Sequence, residues 1–272
     1  MLERLNGAPL WAIGIGLLVV LVSTFALGHY LNLRYERIGR FTNSTDFSGY
    51  VVTAMLGLLA IVMAFTFSLS SERFEERRQL VIAQANAIGT AYLQAQLFDS
   101  PYRERLSGLL RAYTKQQVAL ANSGYPESGP LREQNNKLVT NIWKATEAAF
   151  NSVRNTAFAS LFVASVNRVI DLDATRAAVR ATRLPTEIFS VLCLFLISVA
   201  GVLGYEIGLE RGLLLTSFVL GLMVMAFLLV LDLDRPQSGG IRETQGPMEQ
   251  LQISLGASSG PLDPRRNGPH GH

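Results

Sequence analysis

The sequence is poor in the residues that build chemical sites. It has one cysteine, Cys193, and three histidines, His29, His270 and His272. A single cysteine excludes an intrachain disulfide and leaves the redox compartment unread. No Cys/His cluster exists to hold zinc or iron. No glycine-rich phosphate loop sits between a strand and a helix, and "PQSGGIR" (Pro236–Arg242) lacks that setting. No nucleophile stands beside a candidate base, and the carboxylates gather with arginines at helix ends. The expectation is a protein that is not an enzyme and uses no metal and no cofactor. Two more absences bear on shape. No stretch alternates with the period of a strand, and no tandem repeat occurs. The net charge of +3 is modest, and no nucleic-acid partner is expected.

What the chain has is apolar length. It is 49% apolar over 272 residues, with a mean hydropathy of +0.26. The excess falls in four blocks, about 10–31, 50–70, 185–204 and 212–231. Each holds roughly 20 residues, enough at about 1.5 Å per residue to cross about 30 Å of hydrocarbon. The expected fold is an all-α membrane protein with four transmembrane helices and a cytosolic helical bundle between the second and third. Small residues at Ala26–Gly28 suit a signal cleavage site, but the apolar core is longer than a signal's and Glu3 precedes it. The block therefore reads as a span.

Arginine placement orients the chain. The two short loops carry Arg34, Arg37, Arg40 and Arg211. The other side carries Arg4, Arg73, Arg77, Arg78, Arg176, Arg180, Arg183, Arg235 and Arg242 near the span ends. By the positive-inside rule both termini and the central segment are expected in the cytoplasm. Tyr30, Tyr35 and Phe41 then suit the outer interface.

Four parts follow: 1–70 with two spans, a helical 71–184, 185–235 with two spans, and a tail, 236–272. The central part carries 15 basic and 10 acidic residues, a net +5. Ser100-Pro101 suits a helix start, and "NSGYPESGP" (Asn122–Pro130) is a turn region. Helices are expected over about 131–150, 157–170 and 173–183. In the tail only "PMEQLQISL" (Pro247–Leu255) has the apolar content to dock, and disorder is expected after 256.

The stretch "AFTFSLSSERFEERRQLVIAQANAIGTAYL" (Ala64–Leu93) starts apolar and turns charged without a proline. One unbroken helix over about 50–94 explains it. At 100° per residue, Thr53, Gly57, Ala60, Ala64, Phe67 and Ser71 share a narrow face, which Arg78, Ile82, Ala85 and Gly89 continue. Such a face serves close helix packing. Repeated around an axis, it also lines a conduit, narrowed by Phe67, with hydroxyls at Thr53 and Ser71. Arg73, Arg77 and Arg78 follow the second span. Arg176, Arg180 and Arg183 precede the third on one helical face. These six arginines suit anchoring to anionic lipid, or a basic cytosolic vestibule that concentrates anions. Asp232 and Asp234 end the fourth span at that depth and are expected to pair with arginines. Asn167 and Asp171, at i and i+4, are expected to form a buried polar link.

Four segments carry a family resemblance: "FSLSSERFEERRQLVIAQANAIGTAYLQA" (Phe67–Ala95), "SVNRVIDLDATRAAV" (Ser165–Val179), "RLPTEI" (Arg183–Ile188) and "LDLDRPQSGGIR" (Leu231–Arg242). Through them the chain, up to about Leu255, resembles the bacterial bestrophin-like family. The resemblance implies a bestrophin-type homo-oligomeric channel, a pentamer with four spans per subunit and a pore lined by the second. It implies inorganic ions, anions foremost, as the permeant species, with the lipid bilayer and copies of the chain as partners. The other reading is a membrane-anchored signalling or scaffold protein whose cytosolic helices dock an acidic partner.

Overall fold

The computed structural model describes residues 9–37, 45–123, 129–182, 184–207, 213–235 and 244–257. Within these lie eight helices and no strand: α1 (Leu10–Arg37), α2 (Thr45–Ala95), α3 (Tyr102–Ser123), α4 (Pro130–Val153), α5 (Ala157–Ala181), α6 (Thr186–Ile207), α7 (Leu213–Asp234) and α8 (Gly246–Ala257). Four helical segments are long and apolar enough to cross a membrane, lying within Leu10–Tyr35, Gly49–Ala95, Ala157–Glu206 and Thr216–Asp234.

The chain divides into two compact units. One comprises α1, the first part of α2, α6 and α7; the other holds the rest of α2 with α3, α4, α5 and α8. α2 itself is one helix of 51 residues. Nothing in Tyr50–Ile88 breaks it: there is no proline, and its lone glycine, Gly57, is tolerated inside a helix.

In the apolar unit, Leu21, Phe25, Leu192, Leu196, Val199 and Phe227 form the buried core with Leu59 of α2. Two glycines set how near α1 and α6 approach. A Cβ on Gly28 would strike the Gly201 carbonyl oxygen and stand 3.0 Å from the Tyr205 nitrogen. A Cβ on Gly204 would strike the Phe25 carbonyl. Contacts of this kind supply the van der Waals packing that holds helices together where no water drives them. Thr24 faces Gly201 and Gly28 faces Tyr205, so the two helices rise side by side in the same direction.

The second unit has its own core. Phe98 meets Phe162 edge-on at 4.8 Å, and Val81, Ile88, Leu106, Leu110, Ile142 and Val166 close around them. α4 begins with Pro130 in its first turn behind an extended Gly129, because the missing proline N–H costs nothing there. α3 starts at Tyr102, after a cis Ser100–Pro101 bond.

One expectation needs correction. The helices expected over 157–170 and 173–183 are one helix, α5. Residues 171–173 contain no breaker, and Leu172 and Asp173 are buried in its packed face. The apolar part of the tail is α8, seated in the second unit, with Met248 fully buried and Leu255 nearly so. The disorder expected after 256 concerns residues that, from 258 on, lie outside those described. So do Arg4, Arg40, Phe41, Arg183, Arg211 and Arg242.

Candidate functional site

Within the apolar unit α2 shows three faces. Leu59, Thr66 and Ser70 are buried, flanked by the half-buried Val52, Met55, Leu56, Val62 and Met63. Set at 100° per residue, these cluster within about 60° of Leu59. The second face, about 80–160° from Leu59, is the small-residue face. Thr53, Gly57, Ala60, Ala64, Phe67 and Ser71 are all exposed on it, and nothing lies within 4 Å of a Cβ built on Gly57. On the opposite flank stand Leu58, Ile61, Phe65 and Leu69, also exposed, Phe65 at 70%. The rest of the chain thus covers one face of α2 and leaves two, one lined by small residues and one by bulky apolar ones.

Hydroxyls contribute less than their positions suggest. Thr53 Oγ1 donates to the Gly49 carbonyl at 2.9 Å, back along its own helix. Thr66 does the same to Val62 at 2.8 Å. Ser70 Oγ is enclosed with no hydrogen-bond partner among the described residues.

Further along α2 the expected face changes character. Ala85 is buried, and a Cβ on Gly89 would lie 3.6 Å from Leu251 of α8. The chain's own C-terminal helix therefore covers the small residues there. The apolar content of α8 is legible in the sequence; its seat against α2 is not.

The arginines separate by environment. Arg78 is exposed, while Arg73 and Arg180 are half-buried. Arg77 and Arg176 are each only 3% exposed. Arg176 donates through Nη1 to Gln84 Oε1 and through Nη2 to Gln245 Oε1 at 3.4 Å. Its guanidinium joins α5, α2 and the entry to α8, so packing inside the second unit absorbs this cation.

Gln84 belongs to a larger buried network, which the sequence reading missed. Gln84 Nε2 donates to Tyr113 Oη at 2.6 Å, and Tyr113 donates to Asp173 Oδ1 at 2.9 Å. Asp173 Oδ1 also accepts from Gln117 Nε2 at 2.6 Å and Asn135 Nδ2 at 3.1 Å. Its Oδ2 faces Arg132 Nη2 at 3.1 Å. Both oxygens of this buried carboxylate are thus met by donors, as burial of a polar group requires. Burial, and next the Asp173 charge, push the Tyr113 phenol well above the ordinary tyrosine range.

Asn167 and Asp171 are not the buried link: both are exposed. Phe162, Val166, Val169, Asp173 and Arg176 mark the inward face of α5, and the helical period turns 167 and 171 away from it. That same period was the signal that could have found Asp173. At the end of α7, Asp234 is buried and its Oδ1 accepts the Leu184 backbone N–H at 3.1 Å, ahead of α6. Asp232 is half-buried. Among the described residues no three His, Cys, Asp or Glu side chains are grouped to hold a metal ion.

An all-helical chain with helices apolar enough for a membrane and a second, polar unit defines a class of membrane proteins. The sequence matches the Bestrophin-like domain over residues 19–247, and the chain belongs to the Bestrophin-like family. Its fold is that of crystal structures of a bacterial bestrophin homologue from Klebsiella pneumoniae. Two single-residue variants of that protein align with TM-scores of 0.69 and 0.68, at 15% and 16% identity. Each alignment covers 91% of this chain, with 98% and 99% of the homologue. A third structure of the same homologue aligns at 0.64 with 15% identity, covering 89% of this chain and 95% of that one. No curated protein matches the sequence.

Proposed function

We propose that this chain is one subunit of a homo-oligomeric ion channel in a bacterial inner membrane, with α2 lining the conduction path and anions as the permeant species. The observation that carries the reading is the exposed face of Thr53, Gly57, Ala60, Ala64, Phe67 and Ser71, left uncovered by α1, α6 and α7. Helices that meet around an axis through small side chains leave a narrow path between them. Phe67 is the one bulky group on that face, and a ring of such side chains closes a path by dewetting. Membership in the Bestrophin-like family supports the same reading. With the second unit in the cytoplasm, the exposed Arg78 and the half-buried Arg73 and Arg180 raise the local anion concentration. The number of subunits follows, in this proposal, the pentamer implied by the bestrophin resemblance.

The test is electrical. Full-length protein reconstituted in planar bilayers conducts, Phe67→Ala raises the open current several-fold, and Arg78→Glu shifts the reversal potential toward cations in a chloride gradient. Silent bilayers from well-folded wild-type and variant protein overturn the proposal and favour the anchored scaffold.

A further inference from the structure

A crevice of about 340 Å³ lies between α1 and α6, where the Gly28–Gly201 contact draws the helices together. Thr24, Leu27, Leu31, Val202 and Tyr205 wall it, and it is open on one side rather than enclosed. The wall is wholly apolar. Thr24 contributes its methyl group, because its hydroxyl donates to the Val20 carbonyl at 2.9 Å. Leu27 and Leu31 are 56% and 40% exposed at its rim.

The crevice continues into a charge. Leu27, Leu31 and Arg34 fall within about 60° on the helical wheel, with Arg34 about 4.5 Å beyond Leu31 along the axis. Arg34 is exposed, and it makes no ion pair and no hydrogen bond with any described residue. An apolar slot ending one turn short of an unpaired guanidinium matches one molecule in outline: an acyl chain with a phosphate at its end. Guanidinium groups bind phosphate through paired N–H donors, and a long side chain at a span end reaches readily to the headgroup layer.

The geometry points to a phospholipid site: one acyl chain lies between α1 and α6 over Gly28 and Gly201, and its phosphate is held by Arg34. A helix from a second copy would fill the slot but leave the Arg34 charge to be matched separately, so the charge favours the lipid. The site is independent of conduction and stands whether or not the protein is a channel.

The experiment uses full-length protein in phosphatidylcholine bilayers containing a small fraction of phosphatidylglycerol with a mid-chain diazirine. After illumination, the label is mapped by peptide mass spectrometry. It should be at least fivefold enriched at Leu27, Leu31, Val202 and Tyr205 over the exposed Phe218 and Met225 of α7. Arg34→Gln should lower crevice labelling several-fold and leave labelling at Phe218 unchanged. Leu31→Trp, which fills the slot, should do the same. Equal labelling of every exposed apolar residue, or variants with unaltered crevice labelling, would overturn the site. So would an unlabelled crevice in which Leu27→Cys cross-links one copy to another.

Discussion

Removing the carboxylate of Asp173 would leave Tyr113, Gln117, Asn135 and Arg132 aimed at one vacated point. Breaking a buried charge network from one side costs about 3–5 kcal/mol. Asp173→Ala is therefore expected to lower the melting temperature of the purified protein by several degrees or more, followed by circular dichroism. Tyr113→Phe is milder: it strands one buried donor on Gln84, worth about 1–3 kcal/mol. Tyr113 also brings a pH dependence. Its proton is bound more tightly in the folded than in the unfolded chain, so its contribution is whole below the ordinary tyrosine range. It is lost as pH rises from there toward the elevated folded value. Stability of the wild type should fall more steeply above about pH 10 than that of Tyr113→Phe. Little of this was legible at single residues. The sequence presents Asp171 and Asp173 two positions apart, alike in chemistry. The period of Phe162, Val166 and Val169 separates them, burying one and exposing the other, but only once α5 is read as one unbroken helix. Arg77 and Arg176 likewise look like solvent cations in sequence and are interior side chains in the fold.

At the scale of the element, the sequence was most legible where apolar runs and the absence of breakers decide the outcome. α2 continues from Thr45 to Ala95 because nothing in it disfavours a helix, and α1, α6 and α7 follow the apolar blocks to within a few residues. It was least legible where contact decides. Gly28, Gly204 and Gly221 look equivalent in sequence. Two of them touch backbone of the facing helix, and the third has open space around it. Gly204→Leu should force α1 and α6 apart and leave the protein aggregated on size-exclusion chromatography in detergent. Gly221→Leu should elute as the wild type does. Equal behaviour of the two would mean that this close approach does not hold the helices.

For the whole molecule, the face of α2 that carries the functional reading is a face without a partner among the described residues. One chain cannot say what meets it, because a partner's surface leaves no mark on local propensity or on hydrophobic period. Gly57 offers a way to ask. No described residue lies within 4 Å of a Cβ built there, so Gly57→Trp should leave the folded chain and its melting profile nearly unchanged. In an assembly whose copies meet along this face, the indole should split the oligomer or block its current. Cross-linking and bilayer recording report which. An intact oligomer with wild-type current would place the face against lipid.

The seating of α8 has a consequence for how the protein is made. Met248 and Leu255 belong to the core around Ile88 and Phe162, yet they are translated after all four apolar helices. The ribosome must therefore deliver the last apolar helix before the second unit can close its interior. A polypeptide that ends after α5 but before residue 248 would carry an open hydrophobic notch beside Gly89. An unfinished copy thus differs from a finished one by the apolar surface it leaves open to water.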